Sequence, residues 1–284
     1  MSRSARDIID NDKWERYFIE QVRSDFGDNV SFFDKMKPLR KFGQTSNADA
    51  DTRTTVAHFQ GTVINETFAT DNTITHVVSD SASDTGAILI EGHRLVGGSL
   101  DFVVQTPTLN GLTPVALDTP LCRATRGKDA RTGSFASPVS GGFVGNIAVY
   151  DSAASGGVVS GVVQTAAATK MYIQAGVTQS EKCATAISNS DYWAIKAMYF
   201  GGGKGNASTV TANGYPEYRQ DGGPWLPLEV EPVIRSGGDQ DFFAVFEPFL
   251  IVPRNSDFRF AAISNTNDSE LYANVLGMLA KITD

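Results

Sequence analysis

Residues 74–126 read ITHVVSDS (74–81), DTGAILIEG (84–92), GSLDFVVQTPTL (98–109) and NGLTPVALDTPLCRATR (110–126). In each piece a run rich in β-branched and apolar residues is closed by Gly, Asn, Asp, Ser or Pro, the punctuation of strands joined by short turns. Nowhere in the stretch do residues converge as a catalytic site requires. A chain built this way makes a surface.

The same signal continues outward. Downstream lie GGFVGNIAVYDS (141–152), GGVVSGVVQT (156–165), KMYIQAGV (170–177), SEKCATAIS (180–188) and DYWAIKAMYF (191–200). A second set follows: WLPLEVEPVI (225–234), DFFAVFEPFLIVP (241–253), SDFRFAAIS (256–264) and LYANVLGMLAKI (271–282). Runs of this length and spacing predict an all-β chain of β-sandwich or jelly-roll-like lobes, the first over 61–152 and the second over 153–284. Gly201, Gly202 and Gly203 are expected to open a loop between strands. In the last run Leu271, Ala273, Val275 and Leu279 share one face and Tyr272, Leu276, Met278 and Ile282 the other, so both faces are apolar. Such a strand is either central beneath a second layer or buried in a subunit contact.

Residues 1–60 read differently. Asp12 and Glu15 have the spacing of a capping box, and Trp14, Tyr17, Phe18, Val22 and Phe26 recur at helical intervals before Gly27, which predicts a short helix. From 29 to 60 periodicity is lost, which predicts an extended arm carrying the basic cluster Lys35, Lys37, Arg40 and Lys41. An aromatic stripe on a helix too short to be stable alone must pack on the chain's own body or on another subunit. On the second alternative these nine residues, the five apolar and the four basic, are the expected partner interface. Removal of residues 1–45 is expected to leave the body folded.

Composition excludes several classes. The 284 residues are 41% hydrophobic, enough for a sizeable core, and the net charge of -8 disfavours a nucleic-acid partner, whose phosphates need clustered Lys and Arg. Residues 1–55 hold ten of the 24 basic and ten of the 32 acidic side chains, so the acidity lies in the body. Cys122 and Cys183, without metal-ligand spacing, are expected to be reduced core thiols. No run approaches a membrane span and no apolar leader precedes the body, so no membrane association is expected.

Tests for chemistry find no site. His58, His76 and His93 lack partner patterns, and neither HExxH nor GxSxG occurs. Gly201–Asn206 has Gly205 where a phosphate loop needs Ser or Thr after its Lys. Asn47, Asp49 and Asp51 begin like a calcium loop, but Thr52 and His58 stand where its Gly and Glu belong. Asp80 and Asp84 read as hairpin-turn residues. Trp193, Tyr199, Tyr215, Tyr218 and Trp225 are a possible sugar platform but read first as core or loop anchors. The expectation is a protein that is not an enzyme, without catalytic residues, cofactor, metal or small-molecule substrate.

VVSDSASDTGAILIEG (77–92), TLNGLTPVALDTPLCRATR (108–126), GGFVGNIAVY (141–150) and PFLIVPRNSDFRFAAIS (248–264), with KFGQT (41–45) ahead of them, resemble a group of β-rich virion structural proteins of tailed bacteriophages. The resemblance spans roughly 41–282 and departs at GHRLVGGSLDFVVQT (92–106), where the group continues with Gly-Leu-Asp. It implies a phage structural protein assembled in the host cytoplasm and carried in the virion. The preferred expectation is a capsid decoration or cement protein that stabilises the head shell. Neck or tail (collar or fibre-attachment) protein is the alternative, and a receptor- or glycan-binding module the alternative from another class. The implied partners are the major capsid protein or other virion subunits, with a homo-oligomer expected.

Overall fold

The computed structural model describes residues 37–48, 50, 52–57, 70–130, 142–151, 156–203, 210–220, 222–228, 230, 232–235, 241–266 and 269–281. The first strands are β1 (Lys37–Ala48), β2 (Thr54–Thr55), β3 (Ile74–Ser79), β4 (Ile88–Val96), β5 (Ser99–Gln105), β6 (Val115–Leu121) and β7 (Arg123–Asp129). Next come β8 (Ile147–Asp151), β9 (Val158–Val159), β10 (Val162–Val163), β11 (Thr169–Ile173), β12 (Ala184–Ile187), β13 (Asp191–Gly203) and β14 (Thr211–Gln220). The last are β15 (Leu226–Pro227), β16 (Val233–Arg235), β17 (Phe242–Val252), β18 (Ser256–Ser264) and β19 (Ser269–Lys281). The chain is all-β, as its patterning predicts, with antiparallel pairing between its named strands. The predicted helix over 12–26 lies outside the described residues.

Two cores organise the strands. Sheets β11-β8-β3-β6 and β5-β4-β7 supply Ile88, Ile90, Leu121, Ile147, Val149, Met171 and Ile173 to the first. The sheet β1-β19-β13-β17 and the six-stranded sheet centred on β18 and β14 supply Trp193, Phe200, Phe258, Phe260, Leu271 and Val275 to the second. Trp193 and Phe258 meet edge to face at 4.8 Å, the geometry that sets a positive ring edge against a negative ring face. The expected boundary at 152/153 falls between β8 and β11, which are hydrogen-bonded neighbours in the first core. The cores change over instead between Val177 and Cys183.

β1 corrects the reading of 29–60 as an arm. It pairs with β19 from Lys37↔Leu279 to Thr45↔Leu271 and closes the edge of the second core's outer sheet. The strand is hidden in the sequence because three of its inward positions, Lys41, Gly43 and Thr45, are not large apolar residues. At Gly43 a Cβ would strike the Val56 carbonyl and the Cys183 amide. Gly201 and Gly202 are likewise strand, in register with Tyr272 and Leu271. Side chains there would meet the Tyr272 ring and the Glu270 carbonyl, so glycine marks close packing rather than a loop.

Turns in the first core are held by carboxylates. Asp84 accepts the amides of Val144 (2.9 Å) and Gly145 (2.8 Å) and the Ser79 hydroxyl (2.6 Å), while Asp80 accepts both the amide (2.7 Å) and side-chain nitrogen (2.6 Å) of Asn146. These two residues staple the 79–84 turn to the 143–146 segment, consistent with turn residues. At the edge of β5, Gln105 Nε2 donates to the Thr119 carbonyl and its Oε1 accepts the Thr119 amide, so a side-chain amide extends the ladder.

Gly43→Ala is expected to destabilise the fold by about 2–4 kcal/mol, because both atoms that block the new methyl are backbone. A deletion of residues 1–45 removes most of β1 and is expected to lower stability as well, contrary to the sequence expectation. Denaturant titration of both variants against the full chain checks this.

Candidate interaction face

β19 is central, with β1 on one side and β13 on the other. Its inward residues Leu271, Ala273 and Val275 enter the second core. Its opposite face is continued across all four strands in register. Three cross-strand rows build that face: Pro38–Met278–Ala194–Ile251, Arg40–Leu276–Ala197–Val245 and Phe42–Asn274–Tyr199–Phe243. Of these twelve positions one, Arg40, carries a charge. Phe243, Val245 and Ile251 are 50%, 47% and 42% exposed. None of the twelve belongs to either core described above, although Met278 and Ala197 are themselves buried, at 7% and 1% exposed.

Side-chain contacts tie the face at both margins. On the β1 side, the Arg40 Nε donates to the Asn274 side-chain oxygen at 3.1 Å, which lays the guanidinium along the sheet. Toward β17, Tyr199 stacks on Tyr272 (5.8 Å, 13°) and donates its hydroxyl to Asp241. Burial, then the bond to Asp241, pushes that phenol upward, so it stays protonated. Between Val245 and Leu250 the β13–β17 register slips, and Lys196, buried in β13, donates to Glu247 (3.0 Å) and to the Phe246 carbonyl (3.3 Å). Glu247 is thereby presented at the β17 margin, its side chain 53% exposed.

Of the nine residues expected at a partner interface, Trp14, Tyr17, Phe18, Val22, Phe26 and Lys35 lie outside the described residues. Lys37 and Arg40 are exposed on β1. Lys41 is a correction. It faces the other way, 4% exposed, and its ammonium donates to the Thr125 carbonyl at 3.0 Å. Burial, partly offset by Glu91, lowers its pKa to about 8. A lysine spent on its own chain's interior is not a docking residue.

The other sequence candidates resolve as follows. Trp193 is fully buried, a core residue. Tyr199 lies on the outer sheet face, while Tyr218 packs against the second core. Trp225 lies under two guanidiniums, Arg219 at 4.8 Å and Arg259 at 4.2 Å, and Tyr215 under Arg53 at 3.9 Å. The five aromatics do not form one sugar platform. His58, Asp49 and Asp51 lie outside the described residues. Among the described residues no three His, Cys, Asp or Glu side chains come close enough to hold a metal ion. No described helix is long and apolar enough to cross a membrane.

Sequence reasoning misses one constellation. Asp257 accepts two bonds from Arg123 (2.5 and 2.9 Å) and one from Arg219 (3.1 Å), while Glu217 accepts from Arg259 (2.8 Å) and Arg53. The only available signal is the alternation in SDFRFAAIS, which puts Asp257 and Arg259 on the face of β18 opposite Phe258 and Phe260. Both carboxylates are nearly fully buried. The network joins β7 of the first core to β14 and β18 of the second, a fastening role.

Beside it lies His93, 3% exposed, under the Phe102 ring at 5.4 Å and with no hydrogen-bond partner for Nδ1. Burial, and then Lys41 and Arg123, lower its pKa to about 3.

No protein-family model matches the chain, and no curated protein matches it. Among solved structures, a structure of infectious bursal disease virus Gt strain aligns with 94% of this chain and 83% of that chain at 9% identity and a TM-score of 0.21, a likeness too low to assign a fold.

Two outcomes follow from the buried charges. Asp257→Asn leaves Arg123 and Arg219 without their shared counter-charge and is expected to cost about 3–5 kcal/mol in denaturant titration. The unfolded chain protonates His93 below its ordinary 6.5, and the folded chain only near 3. Its contribution is therefore complete above pH 6.5 and lost as pH falls toward 3, at most about 1.4 kcal/mol per unit. His93→Leu is expected to flatten the decline of stability with pH across that window.

Proposed function

We propose that this chain is a structural subunit of a tailed-phage particle, of the capsid-decoration type, that works by being bound and transforms no molecule. The single observation that carries the structural role is the outer face of β1-β19-β13-β17, a four-stranded surface with one charge in twelve positions. Phe243, Val245 and Ile251 stay exposed on it, and an exposed apolar patch marks an association site. The phage assignment comes from the resemblance of the 77–92, 108–126, 141–150 and 248–264 segments.

The arrangement suits a scaffold. Carboxylate-stapled turns, a guanidinium network between the cores and strand edges closed by side chains make a stiff body that can transmit a contact without rearranging. The major capsid protein or other virion subunits are the partners this reading requires. A contact repeated around a symmetric shell gains by multiplicity, so a modest surface suffices.

Quantitative mass spectrometry of purified virions tests the reading. A decoration protein is expected on the order of hundreds of copies per particle, following shell symmetry. Complete absence of the chain from particles, with the chain free in the infected-cell lysate, overturns it.

A further inference from the structure

We infer that the outer edge of β5 is a strand-addition site, and that its occupant is the same strand of a second copy, paired antiparallel about a two-fold axis beside Val103. The inference draws on this edge alone and goes beyond the structural-subunit reading, which rests on the outer sheet of the other core.

The edge is open over two residues. β5 is the edge strand of β5-β4-β7. On β4 the His93 carbonyl accepts the Cys122 amide (2.8 Å), the Glu91 carbonyl accepts the Thr125 hydroxyl (3.1 Å), and both backbone groups of Leu95 bond to the Asn72 side chain. These β4 groups point away from β5. In an antiparallel ladder the residues opposite them, Val104, Phe102 and Leu100, then direct their own N–H and C=O away from β4, out of the sheet edge. At Leu100 both are met: its amide donates to the Asn255 side-chain oxygen at 3.0 Å, and its carbonyl accepts the Asn189 amide at 3.2 Å. At the far end the Gln105 side chain is engaged with Thr119 of β6. Between these ends, among the described residues, no partner meets the N–H or C=O of Phe102 or Val104. Their side chains are 53% and 52% exposed.

This edge lacks what keeps other edges apart. β1, β6 and β17, edge strands of their sheets, carry Pro38, Pro120 and Pro248. β5, SLDFVVQ, has no proline, no lysine and no register slip against β4. Those features are how an edge avoids templating another strand, and without them β5 is competent to add one.

The strand is also its own complement. With Val103 at the axis, Phe102 stands opposite the second copy's Val104, and Val104 opposite its Phe102. Each pair exchanges two backbone hydrogen bonds, so every open group is met while Leu100 keeps its bonds to Asn255 and Asn189. Each pair also sets an aromatic ring against a β-branched side chain, a favourable cross-strand combination, and Asp101 faces the uncharged Gln105. Moving the axis to Asp101 sets that carboxylate against itself and breaks the bonds at Leu100. Charge and hydrogen bonding therefore select one register. The area of such an edge contact is below that of a standard interface, so the dimer is weak in solution and its affinity comes from the main chain.

The test uses the full chain. Phe102→Cys and Val104→Cys proteins are prepared separately, then oxidised alone and as an equimolar mixture, the native Cys122 and Cys183 being buried. Opposed residues of a hydrogen-bonded antiparallel pair are about 5.5 Å apart at Cα, within disulfide reach, whereas two copies of position 102 stand about 8 Å apart, beyond it. The expected result is a mixture that cross-links while neither variant alone does. Alongside, the sedimentation coefficient of the unmodified chain rises with concentration, and that of Val104→Lys does not. Cross-linking of Phe102→Cys with itself overturns the register. A dimer whose mixture fails to cross-link overturns the edge. A chain still monomeric at about 1 mM overturns the second-copy occupant. If Val104→Lys is in that case also lost from virions, the edge belongs to a strand of another subunit. Each of these results leaves the structural-subunit reading standing, whereas a cross-linking dimer missing from virions overturns that reading alone.

Discussion

The buried carboxylate of Asp257 is the constraint on which the two-core arrangement depends. Burying an ion costs several kcal/mol unless its lone pairs are met, and here two arginines meet them from different cores. Arg123 reaches across from β7 and Arg219 from β14, so the carboxylate is fully compensated only when the cores are in register. Lys41 and Lys182 extend the same logic, since each ammonium bonds to a β7 carbonyl, at Thr125 and Ala124. Charge-assisted bonds of this kind have directional geometry that an apolar seam lacks. The joint is thus specified more than it is glued.

That joint decides what the outer sheet can be. β18 is covered on one side by the second core and on the other by the guanidinium network, and among the described residues the layer β1-β19-β13-β17 keeps Phe243, Val245 and Ile251 exposed on its far side. Its apolar character follows from β19, whose two faces are both apolar, and from the small residues Ala194 and Ala197 of β13.

Much of the fold was legible because strands whose alternation survives, such as ILIEGHRLV and SDFRFAAIS, announce themselves by period two. β1 was not, because Lys41, Gly43 and Thr45 occupy inward positions and erase the alternation that would have marked 37–48 as strand. The boundary between cores was not legible either. It depends on β11 returning to pair with β8, a contact between segments some twenty residues apart with no local signature. As for the face, its β19 component could be read from LYANVLGMLAKI, with both sides apolar. Its continuation over β1 and β17 could not, since cross-strand rows exist only once register is set. The ion network was hidden for the same reason: Arg53, Arg123, Glu217, Arg219, Asp257 and Arg259 are scattered along the chain and become neighbours through pairing alone.

The two sulfurs sit on opposite sides of this construction. Cys122 packs with Leu100 and Ala186, Cys183 is sealed against the β1 backbone, and burial pushes both thiols upward, away from the reactive thiolate. Neither is offered to solvent, and neither is bridged to the other. The native molecule therefore neither gains nor loses a covalent tie when it passes from a reducing medium to an oxidising one, and its strength does not vary with the redox poise of its surroundings.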